Sequence, residues 1–241
     1  MKKLAYISIP LTLALLAFTS YLALAVAPTE RTMGDVQRIF YYHVPSGWVA
    51  GLCFFLNFLA SVIYLWKRSA ASDALAAASA EVGVVFCTVL LITGPLWARP
   101  VWGIWWAPQD IRLTSTLVLW LIYVSYLVLR RFSSSAQTQM LAAALAVFGA
   151  LDVPLVVLSI WFFRTQHPQP VIGGGGSLDP RMWHAVLINW LAFSCFAFLV
   201  CWSRFRLELL HREVEEAHAM ESLAGEGVAA KASLPLNRSS R

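Results

Sequence analysis

Six apolar runs, each close to the length of a bilayer, divide this chain and leave it few ways to fold. They cover residues 4–27, 44–66, 74–97, 113–129, 140–163 and 183–202. A helix needs about 20 mostly apolar residues to cross the hydrocarbon core. No water reaches the backbone there, so its polar groups must pair within the segment. Only 13% of the 241 residues are charged, against about 25% in a soluble domain. The expectation is an all-α integral membrane protein with six transmembrane helices. The fourth run is short, and the third and fifth carry Glu81 and Asp152. The first run follows Lys2 and Lys3 and ends in Ala25-Val26-Ala27, as a cleavable leader would. Its apolar core is longer than the roughly 7–15 residues of a leader, so it is read as a retained helix.

A formal charge of +5 would suggest nucleic acid if it formed one patch. Here the charges cluster at the ends of the apolar runs, which is a topology signal. Lys2, Lys3, Lys67, Arg68, Arg130, Arg131, Arg204, Arg206 and Arg212 fall on one side, and every lysine is on that side. The positive-inside rule makes it cytoplasmic and puts both termini there. Residues 1–203 then form the bundle, with an outer tryptophan-rich loop at 98–112. Residues 204–241 form a cytoplasmic tail that begins as an amphipathic helix (HREVEEAHAMES) and ends in a polar segment expected to be disordered.

The outer segments at 28–43, 98–112 and 164–182 hold what chemistry the chain has. The second contains VWGIWWAPQD, with Trp102, Trp105 and Trp106 crowded together. An aromatic belt at the membrane surface accounts for Trp48, Trp97, Trp161 and Trp183, but not for this cluster. If the loop is locally helical, the three tryptophans stand at i, i+3 and i+4 and make one aromatic face. Three histidines also lie at this boundary: His43 in RIFYYHVPSGW, His167 in WFFRTQHPQP and His184 in DPRMWHAV. One such histidine alone is more often an interfacial hydrogen bonder than a ligand. His211 and His218, among tail glutamates, read as solvated.

Taken together, these residues suit a porphyrin. Imidazole is a common axial ligand of haem iron, and the macrocycle needs a flat aromatic surface. Arg99 and Arg112 flank the tryptophans, and arginine pairs bidentately with carboxylates such as propionates. Cys53, Cys87, Cys195 and Cys201 lie in apolar runs without C-x-x-C spacing and read as small buried hydrophobes. The chain also lacks C-x-x-C-H, so it is not itself a covalent c-type haem carrier.

The stretch W-G-x-W-W…D-x-R-L-T-S, with R-I-x-Y-x-H-V-P upstream and W-x-x-R-T-x-H downstream, resembles the CcmC proteins. These are six-helix haem-handling components of cytochrome c maturation, within the wider tryptophan-rich (WWD) superfamily. The resemblance spans about residues 38–181, with the three motifs in family order. It implies that His43 and His167 are the paired axial ligands of the haem iron. It also implies that Trp102, Gly103, Trp105, Trp106 and Asp110 form the haem-binding platform, with Arg112 and Leu113-Thr114-Ser115 completing the motif. His184 lies outside the matched motifs and is read as interfacial. The implied cargo is haem b, held non-covalently and transferred. The implied partners are the membrane-tethered haem chaperone CcmE and the ABC-type complex of CcmAB with CcmD. The setting would be a bacterial inner (plasma) membrane, with the haem site facing outward. The implied role is transport and handling, not catalysis, with lyase-like loading of the chaperone left open.

One stretch departs from the family pattern, in which a tryptophan directly precedes the aspartate. Here Trp106-Ala107-Pro108-Gln109-Asp110 is one residue longer and lacks that tryptophan. Either the loop bulges and Asp110 keeps its place, or Asp110 points elsewhere. Carboxylates inside a membrane usually face the bundle interior. Glu81 and Asp152 are read as structural, Asp152 beside Pro154, though a haem or proton path is the other reading. The glycine run at 173–176 reads as a flexible outer loop, without the Lys-Ser/Thr of a phosphate loop. Two rivals remain. A secondary transporter or channel would use Glu81 and Asp152. An intramembrane metal enzyme would need clustered zinc-type ligands.

Overall fold

The computed structural model describes residues 2–133, 135–163, 167 and 178–232, the side chains of 2–5 and 223–232 excepted. The helices are α1 (Lys2–Tyr21), α2 (Phe40–Lys67), α3 (Ala70–Trp102), α4 (Ile111–Phe132), α5 (Ala136–Ala150), α6 (Asp152–Phe162) and α7 (Pro180–Ala232). A π turn, Leu22–Val26, prolongs α1, and a 3-10 turn, Asp35–Ile39, leads into α2. Six stretches are long and apolar enough to cross a membrane, α5 and α6 making one of them together. Among the described residues there is no strand, and the protein is an all-α membrane bundle.

Several helix ends differ from the sequence expectation, for local reasons. Helix α3 runs to Trp102, where Gly103 takes the left-handed conformation (φ 77°) that stops it. This is the usual glycine solution for a helix C-terminus. Helix α4 starts at Ile111 because Asp110 caps it. The fifth span breaks at Leu151. Pro154 has no N–H and its ring crowds the carbonyl four residues back, at Ala150. Helix α7 continues unbroken across residues 203 and 204 to Ala232. Its 53 residues make about 80 Å of helix, well over the roughly 30 Å of a hydrocarbon core. The end expected to be disordered follows Ser222; α7 carries its first part, 223–232, as helix instead, and 233–241 lie outside the described residues.

The core sits where α2, α3 and α4 meet. Ala74, Ala76, Ala77, Ala78 and Ala80 are all buried, and small side chains let helix backbones approach closely. Asn57 uses that closeness to donate from Nδ2 to the Ala76 carbonyl at 2.7 Å. Gly83 is needed for the same reason, since a Cβ there would lie 2.6 Å from Cε1 of Phe54. The Phe54 ring in turn stacks on Tyr123 of α4, centroids 3.9 Å apart. The opposite side of α2 exposes Leu52, Phe55, Val62 and Ile63, as expected where the solvent is lipid.

Charge is concentrated at the Lys67 end. The Asp73 side chain, only 2% exposed, receives both terminal nitrogens of Arg130, at 2.5 and 2.8 Å. It also pairs with Arg212 of α7 at 2.5 Å, and Glu208 binds the same guanidinium at 2.8 Å. Arg130 lies over the Tyr126 ring as well. Glu81 binds Arg204 with both oxygens, at 2.5 and 2.8 Å. Helices α3, α4 and α7 are thus tied together by ions at one end. Asp73 stands just outside the expected third run, and its role is not legible from hydropathy alone.

Candidate functional site

At the other end of the bundle, the first turn of α2 carries His43. Pro45, two residues on, cannot donate a hydrogen bond, which strips the Tyr41 carbonyl of its helical partner. Asn189 of α7, fully buried, donates to that carbonyl from Nδ2 at 2.9 Å. The turn is thereby fastened to α7. The His43 ring itself rests on α3. Its Nδ1 lies 2.8 Å from the Thr93 hydroxyl, and a Cβ on Gly94 would come 3.4 Å from its Cε1.

His167, from the segment after α6, comes alongside. The two imidazole centroids are 6.2 Å apart and the ring planes differ by 29°. Trp102, the last residue of α3, meets His167 edge-on at 6.2 Å. Trp97 supports Trp102 in a T-shaped contact at 5.2 Å, so Trp97 does more than sit in an interfacial belt. His43, His167 and Trp102 are distant in sequence and adjacent in the fold.

The rest of the tryptophan motif is not a helical face. Trp105 and Trp106 lie beyond the helix stop at Gly103, in an irregular segment. The i, i+3, i+4 arrangement with Trp102 therefore does not form. Trp105 is 57% exposed and Trp106 half-buried. Arg99 folds its guanidinium onto the Gly103 carbonyl, reinforcing the helix end. Asp110 is buried and accepts from the Leu113 N–H at 3.2 Å as the α4 cap. The Thr114 hydroxyl adds a bond to the Pro108 carbonyl at 2.9 Å. The longer Trp106–Asp110 run is accommodated in this way, with Asp110 directed at the helix. Arg112, in the first turn of α4, is half-buried.

The remaining sequence candidates lie apart from this pair. His184 is exposed and borders a groove of about 330 Å³ beside Phe18, Leu22 and Val26 of the first span. Asp152 begins α6 at the helix break and borders a crevice of about 300 Å³ with Gln109, Thr114 and Ser115. Its Oδ2 is buried without a hydrogen-bond partner among the described residues. The glycine run 173–176 lies outside the described residues. Among the described residues, no three His, Cys, Asp or Glu side chains gather into a metal-holding group.

Thr93 and Asn189 are not among the expected site residues, yet each shapes the site. Arg38 donates to the carbonyls of Ala23 (2.9 Å) and Ala27 (3.2 Å), closing the end of the first span. It also pairs with Asp35. The sequence held one clue to these roles. A proline two residues after a histidine frees a carbonyl, and a buried amide such as Asn189 is the kind of group that answers it.

The heme exporter protein C profile matches residues 1–220. The chain belongs to that family. It is 33% identical over 214 residues to heme exporter protein C of Bradyrhizobium diazoefficiens, covering 88% of this chain and 81% of the relative. To heme exporter protein C of Escherichia coli it is 34% identical over 176 residues, 72% of this chain and 69% of the relative. A mitochondrial ccmC-like protein of Arabidopsis thaliana, whose name assigns it to cytochrome c biosynthesis, is 32% identical over 228 residues. That match covers 93% of this chain and 85% of the relative. Membership makes the chain a multi-pass membrane protein of haem handling in cytochrome c maturation.

Proposed function

We propose that this chain holds haem b between His43 and His167 and passes it to a membrane-tethered chaperone of the CcmE type. The observation that carries this reading is the imidazole pair, 6.2 Å between centroids and 29° between planes. Two metal–nitrogen bonds of about 2 Å each, plus the half-widths of two five-membered rings, span about 6 Å. The separation is of the size that two imidazoles sharing one iron would have, with His167, stacked on His43 here, turning a nitrogen toward the metal on binding. Haem is cargo here, and ligation by two histidines without a covalent bond is reversible.

The surrounding residues support holding and release. Trp102 flanks His167 and is braced by Trp97, while the exposed Trp105 leaves aromatic surface for the macrocycle. Arg112 is the better placed propionate contact, because Arg99 is engaged by the Gly103 carbonyl. Asp110 serves the platform indirectly, by capping the helix that carries Arg112. The site would face the outer, periplasmic side of a bacterial inner membrane, with both termini cytoplasmic and CcmAB and CcmD as neighbours. The transporter reading retains Asp152 but loses force at Glu81, since Arg204 holds both of its oxygens.

The test is the visible spectrum of the detergent-purified protein supplied with haemin, oxidised and reduced. Wild type should show a low-spin Soret band that His43→Ala and His167→Ala each abolish or shift to a high-spin form. A wild-type spectrum unchanged in both variants would sink the ligand assignment.

A further inference from the structure

We infer that Thr93 is a positioning residue that fixes the tautomer of His43, so that Nε2 is the nitrogen offered to iron. This role of Thr93 rests on the haem reading above and on one pair of hydrogen bonds. The Thr93 hydroxyl has a single hydrogen, and its oxygen lies 2.7 Å from the Val89 carbonyl one turn back in α3. A carbonyl only accepts, so the hydroxyl donates there. The same oxygen lies 2.8 Å from His43 Nδ1, and with its hydrogen committed it acts as acceptor. Nδ1 therefore carries the proton and donates, which leaves the lone pair on Nε2.

The packing around the ring reinforces that assignment. The Cε1 edge of His43 lies beside Gly94 of α3, where even a Cβ would stand at an ordinary contact distance of 3.4 Å. Asn189 holds the Tyr41 carbonyl in the same turn at 2.9 Å, so the backbone under His43 is anchored to α7. The ring is held by a hydrogen bond on one nitrogen and a fixed backbone turn. Only Nε2 is left for a ligand. A hydrogen bond from the far nitrogen also makes an imidazole a more basic ligand, which favours ferric over ferrous iron.

The experiment compares wild type with Thr93→Val, which keeps the branched shape and loses the acceptor, and Thr93→Ser, which keeps the hydroxyl. The full chain in detergent is titrated with haemin and its reduction potential is then measured, with His43→Ala as reference. Loss of such an outer hydrogen bond typically costs about 10–100-fold in metal affinity. Thr93→Val should therefore bind haemin at least about tenfold more weakly. Its ferric-over-ferrous preference should fall by a similar factor, a rise of about 59 mV in potential per tenfold. Thr93→Ser should stay close to wild type in both. A Thr93→Val protein with wild-type affinity and potential, while His43→Ala loses the band, would overturn the tautomer role and leave the ligand assignment standing. If His43→Ala keeps the wild-type spectrum, the ligand assignment falls and this inference falls with it.

Discussion

The two ends of this bundle treat their polar groups in opposite ways. At the Lys67 end the carboxylates are consumed by arginines: Asp73 by Arg130 and Arg212, and Glu81 by Arg204. At the Trp102 end the polar side chains are spent on shaping backbone. Asp110 caps α4, Arg38 and Arg99 hold helix-end carbonyls, and Asn189 repairs the gap left by Pro45. The first end is cross-linked by charge and the second is sculpted. The proposed haem site needs the second kind of construction, because its ligands must be held in place.

The contrast is tested hardest at Asp73. Its carboxylate is nearly inaccessible and faces two arginines that are themselves 13% and 17% exposed. Removing one partner of a buried ion pair leaves uncompensated charge and typically costs about 3–5 kcal/mol. Asp73→Asn should lower stability by that amount, read as the unfolding midpoint in a denaturing-detergent titration. Haemin affinity of the molecules that remain folded should be unchanged. A loss below about 1 kcal/mol would fall in the range of exposed pairs, and the ionic end would then not be the stronger one.

The bundle is legible in the sequence because hydropathy is a property of whole runs, and a bilayer requires such runs. All six spans follow from it. What hydropathy misses are local stops and starts: Gly103 ending α3 five residues past Trp97, and Pro154 breaking the fifth span. The His43–His167 proximity was legible only through motif resemblance, since two residues from separate spans carry no shared periodicity. Thr93 and Asn189 escaped because each acts on a neighbour in space, in segments that read only as membrane helix. The tryptophan face failed for a different reason. Its i, i+3, i+4 spacing is a helical argument, and the glycine between Trp102 and Trp105 ends the helix.

A smaller effect separates shape from charge at the sculpted end. Losing a helix N-cap costs about 1 kcal/mol, so Asp110→Ala should lower stability by about that amount. It should also weaken haemin binding by loosening the turn that carries Arg112. Asparagine caps about as well as aspartate, so Asp110→Asn should keep both properties near wild type. The checks are the unfolding midpoint and a Soret titration on the same preparations. Weak haemin binding in Asp110→Asn at unchanged stability would mean that the carboxylate charge acts on the site directly.

The smallest effect is expected at Glu81, and it decides between functions. The Glu81–Arg204 pair is well formed but 36% and 45% exposed, and pairs of that kind contribute about 0–1 kcal/mol. Glu81→Gln should therefore change stability little and leave both haemin binding and cytochrome c formation in cells intact. A coupling carboxylate of a transporter would behave otherwise. Neutralising it would stop function in a protein that is folded and still binds haem, because its charge would be needed to move with the cargo. If Glu81→Gln blocks cytochrome c formation at normal protein level and haemin affinity, the Lys67 end is part of a pathway through the bundle. If it does not, the ion pairs there are structural, and the chemistry belongs to the end that keeps two imidazoles 6.2 Å apart.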